Sequence, residues 1–180
     1  DGTDNLMQVF DTHTHRSVAR IHLGKAPLDV ALAPDGTRVY VTNSKDRSIS
    51  VISVQSLSEA RRLSVSTTSD GPFGIAADPD GRRIYATDID AGEVLVIDTE
   101  TGVTTARIPV VAFPRSLAVA GAGNRLYAAG FDGGISVVDT ETGQVLQTID
   151  TGQASVFRIA LSPDGHRLYG TDRVGASLLV

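Results

Sequence analysis

Four short segments of this chain, residues 24–29 (GKAPLD), 69–74 (SDGPFG), 111–116 (VAFPRS) and 152–158 (GQASVFR), align with one another. They differ where equivalent positions should be alike. At one aligned position they carry Asp29, Gly74, Ser116 and Arg158, and at the position before it Leu28, Phe73, Arg115 and Phe157. Packing alone favours sameness at equivalent places in a repeat, so a charge found in one copy only points to an individual role. Asp29, Arg115 and Arg158 are therefore the candidate ligand-binding residues. One carboxylate and two guanidinium groups could hold a polar or charged ligand through charge-assisted hydrogen bonds. The competing reading makes them solvated rim residues in local salt bridges, which contribute little.

The remaining constellations point to structure. His13 and His15 are two residues apart, but no third ligand stands near them, and a pair without one is a weak zinc signal. They read as turn residues. His166 takes the slot held elsewhere by Thr37, Arg82 and Asn124, and His22 ends a strand. Residues 88–93 (DIDAGE) share part of a calcium-loop pattern, yet lack its third oxygen ligand before the glycine and its closing bidentate glutamate. A solvated loop is the better reading. No G-x-S-x-G elbow is present, and the glycine pairs Gly121/Gly123 and Gly133/Gly134 open no helix, so no phosphate cradle follows. The chain has no cysteine, which excludes disulfides, thiolate metal sites and a cysteine nucleophile. No catalytic residue, metal site or cofactor is assigned.

What must position the candidates is a repeat. Residues 33–43 (APDGTRVYVTN), 78–88 (DPDGRRIYATD), 120–130 (AGAGNRLYAAG) and 162–172 (SPDGHRLYGTD) place Tyr40, Tyr85, Tyr127 and Tyr169 at spacings of 45, 42 and 42 residues. Residues 72–109 show one complete unit. A short apolar run at 73–78 meets a Pro79-Asp80-Gly81 turn, then residues 83–87 (RIYAT) alternate as a strand does. A polar loop leads to 93–98 (EVLVID), the turn 99–102 (TETG) and a fourth strand at 103–109 (VTTARIP). Four antiparallel strands per 40-odd residues make a propeller blade, so the expected fold is an all-β β-propeller with almost no helix. In such a fold the loops between the fourth strand of one blade and the first of the next gather on one face, beside the central channel. The tyrosines read as core residues of the second strand.

The linked elements P-D-G-x-R-x-Y, Val96-Ile97-Asp98-Thr99 and Tyr40-Val41-Thr42-Asn43 resemble the YVTN family of bacterial and archaeal β-propeller repeats. The match runs over nearly the whole chain, and later copies depart from the name motif (Tyr85-Ala86-Thr87-Asp88, Tyr127-Ala128-Ala129-Gly130). The resemblance implies a periplasmic, cell-surface or secreted protein. It also implies a choice of activities: a non-catalytic scaffold, a lactonase-like, lyase-like or quinone-dependent dehydrogenase subunit, or an extracellular sensor domain. Lactonase-type chemistry would need carboxylates and histidines converging on a channel metal.

Composition narrows the partners. Hydrophobic residues at 41% allow a packed interior, and a net charge of −5 without blocks offers no footprint for nucleic acid. No apolar run reaches the ~20 residues of a membrane-spanning helix, and residues 1–10 lack the basic start and apolar stretch of a signal peptide. The repeat phase divides residues 1–180 into units at about 4–29 (partial), 30–74, 75–116, 117–158 and 159–180 (partial). Residues 6–11 and 178–180 both align with the third strand, so the array begins and stops in the same phase. Three closures suit that phase: a larger ring of six to eight blades, a homodimer whose chains complete one another, or a tight four-bladed ring. The expected function is a non-catalytic scaffold binding a protein or small ligand at the loop face.

Overall fold

The computed structural model describes residues 4–65, 71–152, 155–173, 175 and 178–180. All are strands, turns and loops apart from one short 3-10 turn, Ser44–Asp46. Among the described residues no helix is long and apolar enough to cross a membrane. The first sheet holds β1 (Leu6–Asp11) and β2 (Arg16–His22). Three four-stranded antiparallel sheets follow in chain order: β3 (Pro27–Leu32), β4 (Arg38–Asn43), β5 (Ser48–Ser53) and β6 (Ser58–Ser64); β7 (Ile75–Ala77), β8 (Arg83–Asp88), β9 (Glu93–Asp98) and β10 (Thr104–Pro109); β11 (Pro114–Val119), β12 (Arg125–Gly130), β13 (Ile135–Asp139) and β14 (Val145–Ile149). The last sheet has β15 (Val156–Leu161), β16 (Leu168–Asp172) and β17 (Leu178–Leu179). This is the expected all-β propeller architecture.

The core lies between sheets. Successive residues of a strand face opposite sides, so each middle strand feeds two interfaces. In β8 and β9, Ile84, Ala86, Leu95 and Ile97 pack against Tyr40, Ile49, Val51 and Leu63 of the preceding sheet. Their alternates Tyr85, Val94 and Val96 pack against Leu126, Ala128 and Val138 of the following sheet. The same logic seats Ile21 and Leu23 on Val41 and Ile52, and Ile135 beside Val156 and Ile159. Burial on both faces explains why the third strands carry apolar or small residues along their middles, among them Ile49, Val51 and Ile52, Val94, Val96 and Ile97, and Ile135, Val137 and Val138. The fourth strands β6, β10 and β14 are largely exposed and carry the arginines, glutamines and threonines.

Two turns recur because their chemistry recurs. Gly36, Gly81, Gly123 and Gly165 all take φ between 70° and 75°, the left-handed region that favours glycine. Each donates its N–H to the carbonyl three residues back, at 2.7–2.9 Å. The third copy keeps this glycine although Asp has become Ala122. In the other turn, Asp98 Oδ1 accepts from the Thr101 N–H and hydroxyl, both at 2.7 Å, and Asp139 Oδ1 from Thr142 at 2.9 and 3.0 Å. Asp11 repeats the pattern with Thr14 and the His13 N–H. His15, at φ 55°, takes the place of Gly102 and Gly143. Both histidines are thus built into the turn.

One buried polar knot crosses an interface. Tyr85 Oη donates to Asp78 Oδ2 at 2.8 Å, and Arg83 Nη2 lies 2.6 Å from the same oxygen. Arg83 Nη1 donates to the Thr140 carbonyl of the next sheet at 2.8 Å. Burial, reinforced by the hydrogen bond to Asp78, pushes the Tyr85 phenol well above its usual range. Tyr85 therefore acts as a core residue with a polar handle; Tyr40 is buried as well, while Tyr127 and Tyr169 are partly buried.

Tyr85→Phe is expected to destabilise the fold by about 1–2 kcal/mol in urea titration, since Asp78 keeps Arg83 as partner. Asp78→Ala should cost more, because it strands both the phenol and the guanidinium; equal or smaller loss would contradict the knot. A pH effect follows from the second turn. The Thr101 N–H, then its hydroxyl, hold Asp98 below the ordinary aspartate range, as Thr142 does Asp139. The stabilisation is complete above the unfolded value of about 4 and is lost as pH falls through the lower folded value, where the unfolded chain already binds protons. The urea midpoint should decline on acidification, and less steeply in an Asp98→Asn/Asp139→Asn variant, which keeps an acceptor but cannot titrate.

Candidate functional site

The first strands β3, β7, β11 and β15 lie side by side as the inner edge of the four sheets, β3 against β7, β7 against β11 and β11 against β15. Their leading ends bring the candidates together. Ala26 and Phe113 precede Pro27 and Pro114 at φ 54° and 50°, an uncommon conformation for such residues. The backbone is pinned there: the Ser44 N–H donates to the Ala26 carbonyl and the Phe131 N–H to that of Phe113, at 3.0 and 3.1 Å. Each first strand is thereby tied to the loop after its own second strand. Ser69, Asp70, Gln153 and Ala154 of the aligned segments lie outside the described residues.

Arg158 Nη1 stands 2.8 Å from Asp29 Oδ1, joining the fourth of these strands to the first. The pair is long-range, in contrast to the local salt bridges a solvated rim would carry. Its carboxylate is 16% exposed and its guanidinium 49%. Among the described residues Arg115 meets no carboxylate. Its guanidinium lies over three rings, 5.2 Å from the centroid of Phe73, 5.1 Å from Phe131 and 5.9 Å from Phe157. These are cation–π distances. Its Nε is buried and has no hydrogen-bond partner. Arg173 approaches the Phe157 ring at 5.6 Å. Leu28, Asp29, Phe73, Arg115, Phe157 and Arg158 line one cavity of about 300 Å³. All three candidates, from two adjacent aligned positions on three strands, thus face one space.

The same aligned position also does structural work that the residue pattern concealed. Asp29 Oδ2 accepts the Ile75 N–H of the next sheet at 3.2 Å, and Ser116 Oγ accepts the Ile159 N–H at 3.1 Å. Each is a side-chain bridge to the following first strand. In the intervening copy the strands come closer. A Cβ on Gly74 would lie 2.5 Å from the Arg115 carbonyl oxygen, so only glycine fits. Ser116 was not among the candidates; its signal was that Asp and Ser, two short acceptors, alternate with a glycine. Thr42 and Thr87 complete this inner seam: Thr42 Oγ1 donates to the Phe73 carbonyl at 2.7 Å, and Thr87 Oγ1 accepts the Gly74 N–H at 2.8 Å.

A larger cavity of about 780 Å³ lies between the last four-stranded sheet, β11–β14, and the final sheet, β15–β17, against Tyr127, Ile135, Ile149, Leu161, Leu168 and Val180. Its walls are those of a blade interface in which β17 is only two residues long. It gathers no convergent charges, so the smaller cavity is the better site. No three His, Cys, Asp or Glu side chains come together among the described residues. Among the described residues that line this cavity the one carboxylate, Asp29, is already shared by a guanidinium and a backbone N–H, with Arg115 close by. That arrangement disfavours a cation.

Gly74→Ala should destabilise the protein by about 1–3 kcal/mol in a denaturant titration, as overpacking against backbone does. Gly121→Ala, with open space around its Cβ, provides the comparison and should be near neutral. Equal effects at the two positions would refute close approach of β7 and β11.

Known proteins place the fold and the family. A solved structure, hydrazine synthase of Kuenenia stuttgartiensis, is similar with a TM-score of 0.87 and 23% identity over 95% of this chain. The chain spans 50% of that protein's length. No curated protein matches. A family model, described as the SMP-30/Gluconolactonase/LRE-like region, matches residues 25–130, which hold two complete sheets and most of the cavity lining. The chain belongs to the SMP-30/gluconolactonase/LRE-like family of β-propellers.

Proposed function

We propose that this chain is a YVTN-type repeat propeller serving as a non-catalytic scaffold, outside the cytoplasm, that binds a ligand at its channel mouth. The observation that carries the reading is the convergence of Asp29, Arg115 and Arg158 on one cavity. Each comes from the leading end of a different first strand. Propeller folds host many functions, so the site and not the fold must bear the assignment. Here the site offers a held ion pair, one guanidinium without a hydrogen-bonding partner and apolar walls, a set suited to binding. Val30 and Leu32 of β3 are 58% and 60% exposed, on the face that Ile21 and Leu23 only partly cover. Further blades, or a second copy of the chain, would bury them.

A catalytic reading has one specific support: the family description contains a gluconolactonase, and the solved neighbour is named as a synthase. The residues described at the channel mouth do not fit the metal such lactone chemistry needs.

The decisive assay offers D-glucono-1,5-lactone to the full-length protein with added Ca²⁺ or Zn²⁺. Opening at the uncatalysed rate is expected. Turnover that disappears in Arg115→Ala or Arg158→Ala would overturn the scaffold reading in favour of the enzyme.

A further inference from the structure

We infer that the channel-mouth cavity receives a small organic carboxylate with an apolar body, its carboxylate seated on Arg115. The inference deepens the binding reading above and rests on it. The other well-placed arginines of the chain have oxygen partners. Arg83 meets Asp78, Arg125 meets Asp139, Arg62 meets Glu59, Arg61 meets two backbone carbonyls and Arg158 meets Asp29. Arg115 meets rings. Phe73, Phe131 and Phe157 attract its charge through their faces but accept no hydrogen bond along its edge. Its Nε stays buried and unmatched, a condition that native interiors avoid. A guanidinium is a fork of N–H donors whose geometry matches a carboxylate.

The surroundings select the rest of the ligand. Three arginines, Arg115, Arg158 and Arg173, stand at or beside a cavity whose lining among the described residues holds one carboxylate, Asp29. This local positive excess occurs in a chain whose net charge is −5, so it is not inherited from composition. A cleft lined by one sign of charge concentrates ions of the other. Leu28 and Phe157 are 43% and 37% exposed at the same cavity and offer an apolar wall. A volume of about 300 Å³ lies at the small end of ligand sites, which suits a compact molecule.

Isothermal titration of the full-length protein with sodium benzoate, benzyl alcohol and inorganic phosphate tests this. Benzoate should bind, and its Kd should weaken about tenfold or more in Arg115→Met, which keeps bulk among the rings but removes the charge. Arg115→Lys, which keeps the charge and loses the fork, should fall between; it also serves if Arg115→Met does not fold. Benzyl alcohol should bind at least tenfold more weakly than benzoate. Benzyl alcohol binding as tightly as benzoate would overturn the carboxylate assignment while leaving a binding cavity in place. Phosphate binding as tightly would overturn the apolar body. Benzoate binding indifferent to both Arg115 variants would overturn the seat. No heat from any probe would overturn the inference, and ligand binding to the full-length protein by other classes of molecule would then separate its failure from that of the scaffold reading.

Discussion

Each four-stranded sheet in this protein packs against a neighbour on both faces, and the rest of the structure follows from that. A four-stranded sheet alone has no core. Here Ile84 and Ile97 serve one interface while Tyr85 and Val96, one residue along, serve the other. The constraint explains the all-round burial of β5 and β9 and the exposed, charged outer strands. It also explains why stability is shared between nearest neighbours, as in other repeat arrays. Where a neighbour is incomplete, apolar residues such as Val30 and Leu32 lie open.

Two-faced packing stacks the sheets but leaves their inner edges close together, and polar side chains manage that seam. Asp29, Ser116, Thr42 and Thr87 exchange hydrogen bonds with the backbone of the adjacent first strand. The seam is also the wall of the candidate site. Asp29 consequently has two duties, one oxygen on the Ile75 N–H and the other on Arg158. The candidate site is therefore built in part on a residue that also ties one sheet to the next. Arg115 is different, because its only contacts of note are with rings contributed by three sheets. Its position depends on the assembled arc.

Membership of a family with enzymatic members and likeness to a synthase both describe the scaffold. Chemistry on a propeller is written into a few side chains at the loop face, and those vary while the blades do not. In this chain the loop face carries guanidinium groups and phenylalanines.

The fold was legible in the sequence because blade formation is local. Period-2 alternation, a glycine turn at Gly36, Gly81, Gly123 and Gly165, and the Asp-Thr turns at Asp98 and Asp139 each act within a few residues. Repetition of these signals multiplied their weight. The candidate site was legible in part: unlike residues at like positions marked Asp29, Arg115 and Arg158. Their partners were not. Asp29 and Arg158 are 129 residues apart in the chain, and only the curvature of the stacked sheets brings them to 2.8 Å. The ring of phenylalanines around Arg115 draws on a second-strand loop as well as two first strands, and the need for glycine at position 74 depends on how closely β7 approaches the Arg115 carbonyl. Local patterns of hydrogen bonding and hydrophobicity determined the blade; distances across the arc, which no local pattern encodes, decided the site.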